Sequence, residues 1–98
     1  MRYTFEWDPA KAAQNWLKHH IGFDAAAELF LDPLAISCPD DDHSDDEERW
    51  VTLGKDARGR LLLLIHTFSE FSSEEVVVRI ISARKATKNE RQQYHESL

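Results

Sequence analysis

The chain has 98 residues, 42% of them apolar and 31% charged, which suits a single domain spanning 1–98 and excludes a disordered chain or a pair of domains. The formal charge of -6 comes from 18 acids against 12 lysines and arginines, a sum that by itself argues against a nucleic-acid binder. Seven of those acids, however, sit in one short run (Asp40, Asp41, Asp42, Asp45, Asp46, Glu47, Glu48), and outside it the chain is almost neutral, with 11 acids and 12 bases.

Phe5 and Trp7 alternate with Thr4 and Glu6, a short strand pattern. Asp8-Pro9 reads as an N-cap followed by a first helical residue, since proline lacks a donor that would be unpaired there anyway. The helix is predicted to run to Lys18 or His19 with Ala13, Trp16 and Leu17 on its apolar face, and Gly22 is its expected stop. Asp24 is placed to cap a second helix from Ala25 to Leu31, ended by Asp32-Pro33. Leu34 to Ser37 is a strand candidate leading into the acidic run.

Two strands follow, Arg49 to Gly54 and Arg60 to Phe68, joined by a turn containing Asp56 and Gly59. Val76 to Ala83 is a further strand. Thr87-Lys88-Asn89-Glu90 is a capping box opening a last helix to about Ser97. The fold class is therefore α+β: an antiparallel sheet of about four strands, two N-terminal helices and one C-terminal helix. With no apolar signal region at the start and no aliphatic run longer than Leu61 to Ile65, the expectation is a cytoplasmic protein without a membrane segment.

Chemistry concentrates in few places. The acidic run fails as an EF-hand, because counting from Asp40 the sixth residue is Asp45 rather than glycine and Val51 stands where the twelfth-position Glu is required. Asp42, His43 and Asp45 offer a loose divalent-metal site; a solvated, self-repelling loop is the plainer reading. The single Cys38 provides neither a disulfide nor a Cys-rich zinc site. Between Arg79 and Arg91 lie five bases (Arg79, Arg84, Lys85, Lys88, Arg91) and one acid, Glu90. Guanidinium groups beside a helix N-terminus suit phosphate, and solvated strand caps or salt bridges suit the same residues. His66 lies in an apolar strand, on one face with Leu62, Leu64 and Phe68; it is either a core histidine or an acid–base group near Arg79, depending on strand register. Lys18-His19-His20 fits the preference for cations at a helix C-terminus.

The blocks Phe5-Glu6-Trp7-Asp8, Lys18-His19, Phe23-Asp24-Ala25-Ala26, His43-Ser44, Glu47-Glu48-Arg49-Trp50-Val51, Arg79 to Ala86 and Glu90-Arg91-Gln92-Gln93-Tyr94 together resemble BrnT-type toxins. The resemblance covers nearly the whole chain, in order. It implies a RelE-like fold and a ribonuclease toxin of a type II toxin–antitoxin system. Such a toxin is held inactive by a BrnA-like ribbon-helix-helix antitoxin, and the two together repress their operon, so operator DNA is met only through the antitoxin. The acidic run and the Ser69 to Glu75 stretch depart from the family pattern.

The mechanism consistent with both readings needs no metal or cofactor: a ribose 2′-OH attacks the adjacent phosphate. Arg79 and Arg84 are then the expected charge stabilisers, His66 the proton-transfer group and Tyr94 the reserve acid. Lys85, Lys88, Arg91 and Lys18 are the expected RNA-backbone contacts. A non-enzymatic partner protein and a metal-dependent nuclease built on the acidic loop are the rival classes.

Overall fold

The chain runs β1 (Arg2–Glu6), α1 (Pro9–His19), α2 (Phe23–Ala27), a 3-10 turn (Glu28–Leu31), β2 (Ile36–Pro39), β3 (Arg49–Lys55), β4 (Leu61–Glu70), β5 (Glu75–Lys85) and α3 (Lys88–Glu96), in a computed structural model that describes residues 2–41 and 47–97. The metal candidates Asp42, His43 and Asp45 lie outside the described residues. Among the described ones, no helix is long and apolar enough to cross a membrane.

The strands form one five-stranded sheet in the order β1-β5-β4-β3-β2. The α+β class holds, but the expected antiparallel sheet of about four strands is corrected to five strands in a mixed sheet. β2, β3, β4 and β5 pair antiparallel, whereas β1 lies parallel to β5, with Tyr3 opposite Val76 and Glu6 opposite Arg79. That pairing joins the two ends of the chain, and short-range patterning carries no information about it.

Side chains on the two faces of the sheet build separate cores. On one face, Leu62, Leu64, Val76, Val78, Ile80 and Ala83 pack against Ile21, Phe23, Ala26 and Leu29 from α2 and its flanks. On the other, Leu53, Leu61 and Leu63 pack against Tyr94 of α3. Burying each of the larger aliphatic side chains contributes roughly 1.5–3 kcal/mol. α3 covers only one end of this second face. The rest, including Val51, Ile65, Thr67, Val77, Arg79 and Ile81, is half-exposed.

Local chemistry explains most helix ends. Asp8 accepts a hydrogen bond from the Ala10 N–H at 2.8 Å with Pro9 at the first helical position, as its sequence requires. Thr87 and Glu90 form the complete capping box of α3. Two expectations are corrected. α1 stops at His20, whose backbone adopts the left-handed conformation (φ 57°) and donates to the Trp16 carbonyl, whereas Gly22 is the N-cap of α2. Asp24 therefore lies inside the first turn of α2 instead of capping it.

The apolar face expected for α1 is also reversed. Trp16 is 53% and Leu17 77% exposed, while Asn15 is the buried residue of the helix. β1 ends opposite Arg79, so beyond that point the outer edge of β5 needs another partner. Asn15 supplies it: its amide donates to the Ala83 carbonyl at 2.9 Å and to the Ile21 carbonyl at 3.1 Å, and its carbonyl oxygen accepts the Ala83 N–H at 3.0 Å. One side chain thus takes the place of a sixth strand. Leaving such buried groups unpaired costs roughly 1–3 kcal/mol each, which outweighs the burial that Leu17 forgoes.

Candidate functional site

The Asn15 clamp has a geometric consequence. Residues three and four positions away share a helix face, so Lys11, Lys18 and His19 are carried with Asn15 to the same side of α1. There they line a groove of about 530 Å³ whose other wall is the open sheet face, with Leu63 and Ile65 from β4 and Ile81, Ser82 and Arg84 from β5. Among the described residues, three cations and no carboxylate line this groove. A polyanion with an apolar or aromatic component fits that combination, because the cations take phosphate and the isoleucines take base or ribose surface.

The alignment of Arg79 with Arg84 depends on an irregularity. Five positions apart, they would face opposite sides of a regular strand. Ile65 pairs with Ser82 but His66 with Ile80, leaving Ile81 as an extra residue in β5. This bulge shifts the alternation by one. Arg79, opposite Thr67, and Arg84, opposite Leu63, consequently share the open face.

Each arginine already has an anion. Glu90 takes Arg84 in a two-pronged pair, at 2.8 Å to Nη1 and 2.9 Å to Nη2. The same carboxylate accepts the Thr87 N–H at 2.8 Å, and its pKa is held down to about 2, chiefly by Arg84. Arg79 pairs with Glu47, at the end of the acidic run. The acids opposing this basic face thus come from two directions, one from α3 and one from the loop.

The two proton-transfer candidates lie elsewhere. His66 faces the opposite side of the sheet from Arg79 and Arg84. It is 0% exposed, with Nε2 2.6 Å from the Thr52 hydroxyl and its ring edge-on to Phe30 and Phe68. Burial pushes its pKa down to about 4, against a backbone hydrogen bond to Thr67. Placing His66 beside Arg79 is therefore corrected: β4 alternates regularly, and the register sets the two back to back. Tyr94 is 1% exposed within the second core. Its hydroxyl donates to Asp32 at 2.7 Å, and burial together with that carboxylate pushes its pKa up to about 12.

Of the expected RNA-backbone contacts, Lys18 lines the groove. Lys85, opposite Leu62, falls on the other face at the end of β5. Lys88 and Arg91 are exposed on α3, outside the groove walls. Lys11, Asn15 and His19 were not singled out as site residues by the sequence. The spacing 11, 15, 18 and 19 is a polar helical stripe, a signal obscured by the aromatic and aliphatic residues at 16 and 17. Among the described residues, no group of three His, Cys, Asp or Glu side chains is placed to hold a metal ion.

Comparison with known proteins gives a family and a similar fold. A family model described as the ribonuclease toxin BrnT of type II toxin–antitoxin systems matches residues 7–90. The crystal structure of the Brucella abortus ribonuclease toxin BrnT is similar to this chain with a TM-score of 0.61 and 26% sequence identity, over 90% of this chain and 100% of that one. No curated protein matches.

Proposed function

The chain belongs to the BrnT family of type II toxin–antitoxin ribonuclease toxins, and on that premise we propose that it is an endoribonuclease whose substrate lies in the groove between α1 and the open sheet face. The observation that carries this reading is the meeting of Lys11 and Lys18 with Arg84, from distant parts of the chain, in a groove that no carboxylate lines among the described residues. In the proposed reaction a ribose 2′-oxygen attacks the neighbouring phosphorus, leaving a 2′,3′-cyclic phosphate and a 5′-hydroxyl without a metal ion. Arg84, fixed by Glu90, and Arg79 stabilise the charge on phosphorus, and Lys18 holds the backbone on the groove side. Lys88 and Arg91, exposed on α3 beyond the groove walls, extend the contact along the flanking RNA, while Lys85 faces the other side of the sheet.

His66 and Tyr94 enter this reading through the fold, one fixing the sheet interior and the other fixing α3. A BrnA-like ribbon-helix-helix antitoxin is the proposed partner, neutralising the toxin in the cytoplasm and bringing it to operator DNA for joint repression. Purified protein incubated with RNA in EDTA is the direct test. The expected result is cleavage to cyclic-phosphate ends, reduced roughly 10²–10³-fold by Arg84→Ala. Cleavage that requires added divalent metal would favour a metal-dependent nuclease, and intact RNA in either condition would leave a partner-binding protein without nuclease activity.

A further inference from the structure

We infer that His19 is the proton-transfer group of the groove, acting as the base toward the ribose 2′-OH; this rests on the ribonuclease reading above. The groove has cations for the phosphate but needs a group that exchanges a proton near neutral pH, which is the particular property of imidazole. His19 is the only described histidine that lines it. His66 is sealed on the far face, while His20 and His95 are exposed and stand against the rings of Trp16 and Tyr94 outside the groove.

A histidine in the last turn of a helix is favoured by the helix dipole alone, so its position needs a further reason. One is that the His19 side chain is half-buried, and no hydrogen bond or ion pair engages its ring among the described residues. Another is its mounting. Asn15, one turn earlier, is bonded to both the N–H and the carbonyl of Ala83, the residue next to Arg84. The base and the phosphate-holding arginine are thus fixed to one piece of backbone. Among the described residues, the charged groups that line the groove with His19 are Lys11 and Lys18 on its own helix and Arg84 on β5, and the sheet otherwise contributes uncharged Leu63, Ile65, Ile81, Ser82 and Ala83.

In the step proposed, neutral His19 removes the 2′-OH proton as the 2′-oxygen bonds to phosphorus. The bond from phosphorus to the 5′-oxygen breaks, and that oxygen takes a proton from water in the open groove. The resulting imidazolium returns its proton to solvent, so atoms and charge balance.

The test compares wild type with His19→Gln and His19→Ala in single-turnover cleavage of one oligoribonucleotide, beside binding of its uncleavable 2′-deoxy analogue. Cleavage is expected to fall roughly 10²–10⁴-fold with analogue affinity and melting temperature nearly unchanged, and the acid limb of the wild-type pH–rate profile is expected to vanish. A substrate with sulfur as the 5′ leaving atom, which needs no proton, should remain slow with the variants. Wild-type rates in both variants would overturn the assignment, as would an equal loss of binding and cleavage, or rescue by the sulfur leaving group. A wild-type protein that leaves RNA intact would instead overturn the ribonuclease reading itself.

Discussion

His66 illustrates how one residue's chemistry follows from its side of the sheet. Its alternation with Leu62, Leu64 and Phe68 is legible in the sequence, and the structure keeps it. Which face is covered is decided by α2 and the 3-10 turn, whose Phe30 meets the imidazole edge-on. Buried there, the ring is held neutral, with a pKa of about 4 against an ordinary 6.5. In the unfolded chain the histidine binds its proton more readily, so its contribution to stability is complete above about pH 6.5 and is lost as pH falls through about 4. The shift corresponds to ~3 kcal/mol. Urea unfolding at pH 7 and pH 5 should therefore show wild type losing more stability than His66→Leu between the two. Equal losses would mean that the ring is protonated in the folded protein.

Other residue-level features divide by the distance of their partner. Asp8 and the Thr87–Glu90 box are legible because each acts within three residues of itself. Asn15 is not, because its meaning lies in Ala83 across the molecule. A helix containing Trp16 and Leu17 invites the assumption that they face inward, and only the unpaired edge of β5 explains why an asparagine does so instead.

At the level of elements, the junction of β5 with α3 ties the candidate site to the fold. The run Val76, Val78, Ile80, then Ile81 and Ala83, already contains the phase slip that becomes the bulge; the adjacent isoleucines are its trace in the sequence. The parallel β1 leaves no such trace, since nothing in Arg2–Glu6 indicates pairing with a strand at the far end of the chain.

Beyond the bulge, Glu90 serves two elements at once, capping α3 through the Thr87 N–H and clamping Arg84. The two roles are separable. Glu90→Gln retains an acceptor for the Thr87 N–H, because glutamine also completes a capping box, but gives up the charged partner of Arg84. Glu90→Ala loses both. Chemical denaturation should show Ala costing about 1 kcal/mol more than Gln, the usual value of a cap, while both loosen Arg84 and slow RNA cleavage alike. A Gln variant as unstable as Ala would assign the stability to the ion pair instead.

Across the whole molecule, the charge of -6 resolves into an acidic run and a basic face, and the described residues of the two meet where Glu47 reaches Arg79. Glu47, the first described residue after the central part of the acidic run, pairs with Arg79 on the open sheet face. Both side chains are substantially exposed, 41% and 43%, so the pair contributes little to folding. It bears more directly on binding, because a carboxylate on Arg79 competes with any phosphate for the same donors. Glu47→Gln should leave stability within about 0.5 kcal/mol of wild type and tighten RNA binding roughly fivefold, equivalent to ~1 kcal/mol. One additional phosphate contact should also steepen the dependence of log affinity on log salt by about 0.7. Filter binding of the uncleavable 2′-deoxy oligonucleotide across a salt series measures both quantities. Unchanged affinity with an unchanged slope would place Arg79 outside the RNA footprint and leave Lys11, Lys18 and Arg84 as the cations that hold RNA in the groove.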